Sequence, residues 1–151
     1  MAVQIKWQIE GVTELSRKLE IISQKVTDWT PAFQDTADTL KSIFSGDVFD
    51  TEGGAIEETW QQLSTAYAKR KAKKYPGKGI LEATGAMKNG FLTIWNGQMA
   101  EVWNQATYFK YHQSNAPRTK MPRRVMMKLA DQQREQIQKI FQGYYNQIIS
   151  A

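Results

Sequence analysis

The sequence predicts a single α+β domain over residues 1–151, with an N-terminal strand, helices, a central antiparallel β-hairpin or sheet and a long C-terminal helix. Three observations support this fold class. Residues 3–9 alternate between apolar and polar side chains, which is the period-two pattern of a half-buried strand. Two strand-like runs flank the dipeptide Asn96-Gly97. Apolar residues recur at helical spacing after Pro122.

The composition narrows the class of protein. At 151 residues the chain is long enough for one domain with a buried core. It contains no Cys and one His, which excludes a disulfide framework and the common zinc sites. No apolar run approaches the roughly 18 residues that span a membrane, and the N-terminus does not resemble a signal peptide. We therefore expect no cofactor and no membrane partner, and a bacterial cytoplasm, or a particle assembled there, as the setting.

Residues 13–45 follow the first strand and carry a helical pattern. Thr13 is the expected N-cap of a helix. Thr30-Pro31 then breaks or kinks the pattern, because proline is tolerated in the first turn of a helix but not in its interior. We predict two consecutive helices, or one kinked helix, packed on the sheet by these apolar residues: Leu15, Leu19, Ile22, Val26, Trp29, Phe33, Ala37, Leu40 and Phe44.

Residues 46–58 contain glycines and several carboxylates, and they predict a mobile, solvated loop. The alternative is a metal site, but the spacing of the carboxylates does not match a calcium-binding loop. The carboxylates are Asp47, Asp50, Glu52, Glu57 and Glu58. A helical stripe of Trp60, Leu63 and Tyr67 follows and ends at Tyr75-Pro76-Gly77.

The two runs around Asn96-Gly97 predict a β-hairpin with strands at Phe91–Trp95 and Gln98–Trp103. Asn-Gly favours the positive φ angles of a type I′ turn. Residues 104–113 predict an aromatic-rich turn or a third strand, and residues 114–121 a polar loop. The last segment, 122–149, predicts one helix about 42 Å long. That length is nearly three times the expected radius of gyration of about 15 Å, so the helix would cross the domain or project from it.

The net charge is +5, and the basic residues form two clusters. Such clusters can bind a phosphate backbone or an acidic protein surface, although a solvated helix face and loop would have the same composition. The first cluster contains Lys69, Arg70, Lys71, Lys73, Lys74 and Lys78. The second contains Arg118, Lys120, Arg123, Arg124 and Lys128.

The sequence does not indicate an enzyme. It lacks the glycine-rich phosphate loop and the nucleophile elbow of hydrolases. His112 is the only histidine, so any Ser-His-Asp triad would need it. It lies in the aromatic stretch TYFKYHQ, where a packed or hydrogen-bonded structural role is the preferred interpretation.

Five groups of residues follow one another between Phe49 and Arg124. In chain order they are Phe49 with Glu52-Gly53; Trp60, Leu63, Ser64, Tyr67 and Lys71; Ile80, Leu81, Thr84, Gly85 and Met87; Tyr108, Phe109, His112 and Gln113; and Pro122, Arg123 and Arg124. The order of these elements resembles the phage virion morphogenesis (tail completion) family, and it is similar to the head–tail joining proteins of siphophages. The chain departs from the family pattern at Phe109, at Ser114-Asn115 and at 124–126.

The resemblance implies a non-catalytic component of the virion tail or neck, added late in assembly, that lets the tail join the head. Its implied partners are tail-tube, terminator or connector proteins and further copies of the chain, with DNA close by. We predict that the hairpin, residues 108–124 and the terminal helix form a subunit contact. The candidate contact residues are Trp95, Tyr108, Tyr111, His112, Arg123, Arg124, Ile137, Phe141 and Tyr144.

The five tryptophans supply large side chains of the kind that protein interfaces favour. We predict that Trp7, Trp29, Trp60 and Trp103 are core residues and that Trp95 is the most exposed. Two other functions remain open: a nucleic-acid-binding module that uses the basic helix 64–74, and a cell-wall hydrolase carried by a tail.

Overall fold

The computed structural model describes residues 12–150 and has the predicted α+β architecture. The helices are α1 (Val12–Val26), α2 (Thr30–Ser42), α3 (Val48–Asp50), α4 (Thr65–Lys74), α5 (Phe109–Gln113) and α6 (Asp131–Ser150). A π-helical turn (Ile43–Asp47) joins α2 to α3, and a 3₁₀ turn (Gly54–Ile56) follows. Strands β1 (Phe91–Trp95) and β2 (Ala100–Asn104) form an antiparallel sheet. The predicted N-terminal strand with Val3, Ile5, Trp7 and Ile9 lies outside the described residues.

The predicted break at Thr30-Pro31 separates two helices. Pro31 lies in the first turn of α2, where its missing N–H costs no hydrogen bond. The Asp28 carboxylate accepts a hydrogen bond from the Thr30 amide at 2.9 Å. Thr13 lies inside α1, which begins at Val12, so its prediction as the cap was wrong.

The apolar stripe of α1 is only partly covered. Leu15 and Leu19 are 58% and 57% exposed, whereas Ile22 and Val26 are half-buried. Helix α2 is better covered, because it contacts both strands and α6. The small side chains of Ala32 and Ala37 are fully buried there, which allows a close approach of the neighbouring elements.

Residues 46–58 are not the solvated loop that the sequence predicts. The helical path continues from α2 to Asp50, and the buried side chains of Val48, Phe49 and Ile56 join the core. These apolar residues lie between the acidic ones and draw the segment inward. Within residues 12–150 no group of three or more His, Asp or Glu side chains could hold a metal ion.

The hairpin prediction is confirmed, with Phe91 opposite Asn104 and Trp95 opposite Ala100. The first strand has the predicted bounds, but the second runs from Ala100 to Asn104 and not from Gln98 to Trp103. The turn type was predicted wrongly, because neither Asn96 nor Gly97 has a positive φ. Instead, the Asn96 side-chain oxygen accepts hydrogen bonds from the next two free amides, at 2.8 and 3.0 Å. This side-chain bonding replaces the type I′ geometry and lengthens the turn.

The described tryptophans differ in burial. Trp60 is buried and Trp29 half-buried, but Trp103 is 41% exposed and Trp95 is half-buried, so the predictions for these last two were wrong. Trp103 lies on the opposite face of the sheet from Val102, which packs against the core. Among the described residues the sheet has two strands, and these residues cover mainly the face that carries Val102.

The C-terminal helix begins at Asp131 and not at Pro122. Before it, the Gln113 side chain accepts hydrogen bonds from the amides of Met126 and Met127 and donates to the Met127 carbonyl. These bonds anchor residues 122–130, which form neither a helix nor a strand, and we call this stretch the extended segment. Residues 104–113, predicted as a turn or third strand, contain α5.

Helix α6 packs on α1 and α2, so it does not project from the domain. Its 20 residues correspond to about 30 Å. The inward face is the one that the sequence predicts, with Gln133, Ile137, Ile140, Phe141, Tyr144 and Ile148 buried or half-buried. None of the described helices has the length and hydropathy needed to cross a membrane.

Candidate functional site

A cleft of about 700 Å³ lies between residues 61–71, residues 81–87, the start of α5 and the chain around the beginning of the extended segment. Four of the five sequence elements that carry the family resemblance meet here. They contribute Leu63, Ser64, Tyr67, Lys71, Leu81, Thr84, Met87, Tyr108, His112, Pro122 and Arg124 to its lining. We call it the basic cleft, because its charged lining residues are all cationic.

Trp60 attaches the extended segment to the core beside the basic cleft. Its indole Nε1 donates a buried hydrogen bond to the Val125 carbonyl at 2.7 Å. The ring packs edge-on against Phe49, with 5.3 Å between centroids. Gly53 makes room for the indole, since a Cβ there would lie 2.7 Å from the ring. The Phe49 and Gly53 element of the resemblance thus supports the Trp60 element.

Arg124 closes the same wall of the basic cleft. It is 5% exposed, and its Nε and Nη2 both donate to the Gln61 carbonyl, at 2.9 and 2.7 Å. Burial lowers the pKa of Arg124, and Glu52 only partly offsets this effect. The guanidinium therefore connects two segments that are far apart in the sequence.

Lys71 is the one residue of the first basic cluster that points inward. It is 7% exposed, and its Nζ donates to the Gly79 carbonyl. Burial lowers its pKa, Glu82 raises it, and Arg124 lowers it further. Its role in this fold is to hold the loop after α4.

His112 lines the basic cleft and is 8% exposed. Burial lowers its pKa, and the charges of Arg124 and Arg118 lower it further, so the neutral imidazole is favoured. Its Nδ1 has no hydrogen-bond partner among the described residues. No described carboxylate bonds to the ring, so the described residues form no Ser-His-Asp triad with His112.

The remaining basic residues of α4 are exposed. Arg70 lines the basic cleft and lies over the Tyr67 ring at 5.9 Å. Lys69, Lys73 and Lys74 lie outside the cleft lining. Within the described part of the chain, none of these four cations forms a salt bridge.

The predicted contact residues do not form one surface. Tyr108, His112 and Arg124 line the basic cleft. Tyr111, which precedes His112 in the chain, is exposed and does not line the cleft. Arg123 is exposed and donates to the Gln113 carbonyl at 3.1 Å.

The contact residues predicted on α6 face the domain itself. Phe141 packs edge-on against Phe33, with 5.0 Å between ring centroids. The Tyr144 hydroxyl donates to the Asp35 carboxylate at 2.7 Å. Ile137, also predicted as a contact residue, is half-buried on the same face. Trp95 is the last residue of β1 and is half-buried.

Sequence reasoning missed several residues of the cleft. Gln61 lines the cleft and acts through its backbone carbonyl, as does Gly79, which binds Lys71 from outside the lining; no residue pattern reveals either acceptor. Met121 lies in the stretch predicted as a polar loop and lines the cleft beside Lys120 of the second basic cluster.

No family model matches the chain, and neither the curated proteins nor the solved structures include a match.

Proposed function

We propose that this protein is a non-catalytic structural or assembly protein of a tailed bacteriophage, which completes the tail or neck so that tail and head can join. One observation carries the proposal: the separate elements of the family resemblance interlock around the basic cleft. Trp60 bonds to the extended segment, and Arg124 bonds back to Gln61 beside Trp60. A chance similarity in sequence would place such elements at unrelated positions in the fold. Elements that hydrogen-bond to one another therefore support the resemblance.

A non-catalytic role agrees with the chemistry of the basic cleft. The buried cations Lys71 and Arg124 already donate to backbone carbonyls. His112 has no described partner that would orient it for proton transfer. The described lining therefore offers no nucleophile paired with a base.

The surface of the described residues carries exposed apolar side chains that could contact other proteins. Exposed apolar side chains include Leu15, Leu19 and Ile21 on α1 and Ile94 and Trp103 on the uncovered sheet face. Large apolar and aromatic side chains are typical of protein interfaces. The proposed partners are tail-tube, terminator or connector proteins and further copies of the chain, in a virion assembled in the bacterial cytoplasm.

Deletion of the gene from an inducible host, followed by negative-stain microscopy of the lysate, tests the proposal. DNA-filled heads beside unattached tails are the expected result, and purified protein added to the lysate should restore joining. Intact, infectious particles would overturn the proposal.

A nucleic-acid-binding module is the second candidate function. It is favoured by the exposed cations Lys69, Arg70, Lys73 and Lys74, which lie close together on one short helix without described acidic partners. Binding to DNA should then fall steeply as salt rises. Absence of retention on heparin or DNA at low salt would exclude this function.

A further inference from the structure

The basic cleft has an apolar floor beneath a cationic rim. Leu63, Leu81 and Met87 supply aliphatic side chains, and Arg70 and Lys120 supply exposed charges. Its volume of about 700 Å³ lies within the roughly 300–1,000 Å³ of ligand-binding clefts. A floor and rim of this kind fit a ligand that has both apolar and anionic groups.

Two buried cations, Lys71 and Arg124, line the cleft, and its lining contains no carboxylate. Burial lowers the pKa of Lys71, the charge of Glu82 raises it, that of Arg124 lowers it and that of Glu52 raises it. Those two carboxylates do not line the cleft and have other partners: Glu52 accepts from a glutamine side chain, and Glu82 pairs with Lys88 at 2.7 Å. An anion in the cleft would be attracted by both buried cations.

His112 has a polar ring atom without a partner beside the cleft. The ring is more than nine-tenths buried and lines the cleft, yet its Nδ1 has no hydrogen-bond partner within residues 12–150. A buried polar atom without a partner costs free energy. Nδ1 is itself covered by protein atoms, so a group on a ligand would bond to it only if the ring turned.

Two cations on the rim are free to bind a carboxylate. Arg70 and Lys120 are exposed and form no salt bridge with any described residue. The rings of Tyr67 and Tyr108, also exposed, stand on the same rim. Arginine and tyrosine are residues that protein interfaces favour.

We propose that the basic cleft binds an acidic segment of a partner protein that contains leucine or a similar apolar residue. The apolar side chain would pack on the floor, and carboxylates of the segment would pair with Arg70 and Lys120. This inference rests on the proposed role as an assembly protein and names the chemistry of its partner. The aliphatic floor favours a peptide side chain. A single-stranded nucleic acid would instead stack its bases on the exposed rings of Tyr67 and Tyr108, and the experiment below distinguishes the two ligands.

Fluorescence anisotropy with a fluorescein-labelled peptide of glutamate and leucine tests the proposal. The double variant Arg70→Glu/Lys120→Glu should bind the peptide about tenfold or more weakly than the unchanged chain. The matched control, Lys69→Glu/Lys73→Glu, makes the same charge change on exposed residues outside the cleft and should weaken binding less than about threefold. A peptide with serine in place of leucine should also bind more weakly.

Three results would overturn the proposal: no binding to the unchanged chain, equal losses in the two double variants, or tighter binding of a labelled oligothymidine of equal charge. The gene deletion separates this test from that of the proposed function. If deletion prevents head–tail joining and the Arg70/Lys120 variant restores it fully, the cleft proposal fails and the function stands. If deletion leaves infectious particles, the function fails, and peptide binding still decides the chemistry of the cleft.

Discussion

Replacement of Trp60 by phenylalanine should be one of the most destabilising conservative changes in the chain. The indole is 2% exposed, and its Nε1 donates the buried hydrogen bond to the Val125 carbonyl. This bond joins residues 65 positions apart in the sequence. Phenylalanine keeps an aromatic ring against Phe49 but leaves the carbonyl without its donor.

Two costs add up in the Trp60→Phe variant. A buried carbonyl without a partner costs about 1–3 kcal/mol. The space left by the missing part of the indole costs a further 1–2 kcal/mol or so, because the surrounding core collapses only partly. The free energy of unfolding should therefore fall by about 2–5 kcal/mol, and a fall of about 3 kcal/mol corresponds to a Tm lower by about 6–12 °C.

Urea denaturation followed by circular dichroism measures this difference, with Trp103→Phe as the control. Trp103 is 41% exposed, so its replacement should cost less than about 1 kcal/mol. Hydrogen exchange gives a second readout, since the Met126 amide should exchange faster in the Trp60→Phe variant. Equal destabilisation by the two substitutions would show that the indole does not anchor the extended segment.

Three further predictions concern backbone strain and pH. Gly53→Ala should lower the free energy of unfolding by more than about 2 kcal/mol, because φ is +87° and the new Cβ would lie 2.0 Å from a carbonyl oxygen; Gly143→Ala, in open space on α6, should instead raise it by about 0.5–1 kcal/mol in the same urea titration. Burial and two nearby guanidinium groups lower the pKa of His112, so the unfolded chain binds a proton more readily than the folded one. Stability should therefore fall as pH drops below about 6.5, and His112→Gln should reduce this fall relative to the unchanged chain. The Asp35 hydrogen bond raises the pKa of Tyr144, so its contribution is present below about pH 10 and lost as pH rises through the folded-state pKa; stability curves for Tyr144→Phe and the unchanged chain should converge above that pH.

The order of elements could be predicted where local patterns dominate. Pro31 ends one helical pattern and starts the next, and the alternation around Asn96-Gly97 predicts the hairpin. The turn type could not be predicted, because the Asn96 side chain competes with backbone geometry for the same amides. Similarly, the polar composition of residues 46–58 predicts a loop. Burial of the apolar side chains of Val48 and Phe49 in the core stabilises the fold, however, and draws the segment inward.

The extended segment shows why the start of α6 was predicted too early. Met126 and Leu129 have the spacing of a helix face, and Pro122 suits a first turn. The Gln113 side chain, however, bonds to both the amides and a carbonyl of this stretch, which removes the backbone groups that a helix would use. Tertiary hydrogen bonds thus override local propensity, and no local pattern reports them.

For the basic cleft, the sequence could predict the side-chain donors but not the backbone acceptors that they bind. The hydrogen bonds that hold its walls run from a side-chain donor to a backbone carbonyl: Trp60 to Val125, Arg124 to Gln61 and Lys71 to Gly79. A sequence reveals the donors, because tryptophan, arginine and lysine are distinct residue types, but every residue has a carbonyl. The same asymmetry explains why the run of cations on α4 was taken as uniform. The position of an available backbone carbonyl decides which lysine or arginine of α4 turns inward. Lys71 is the residue that reaches the Gly79 carbonyl.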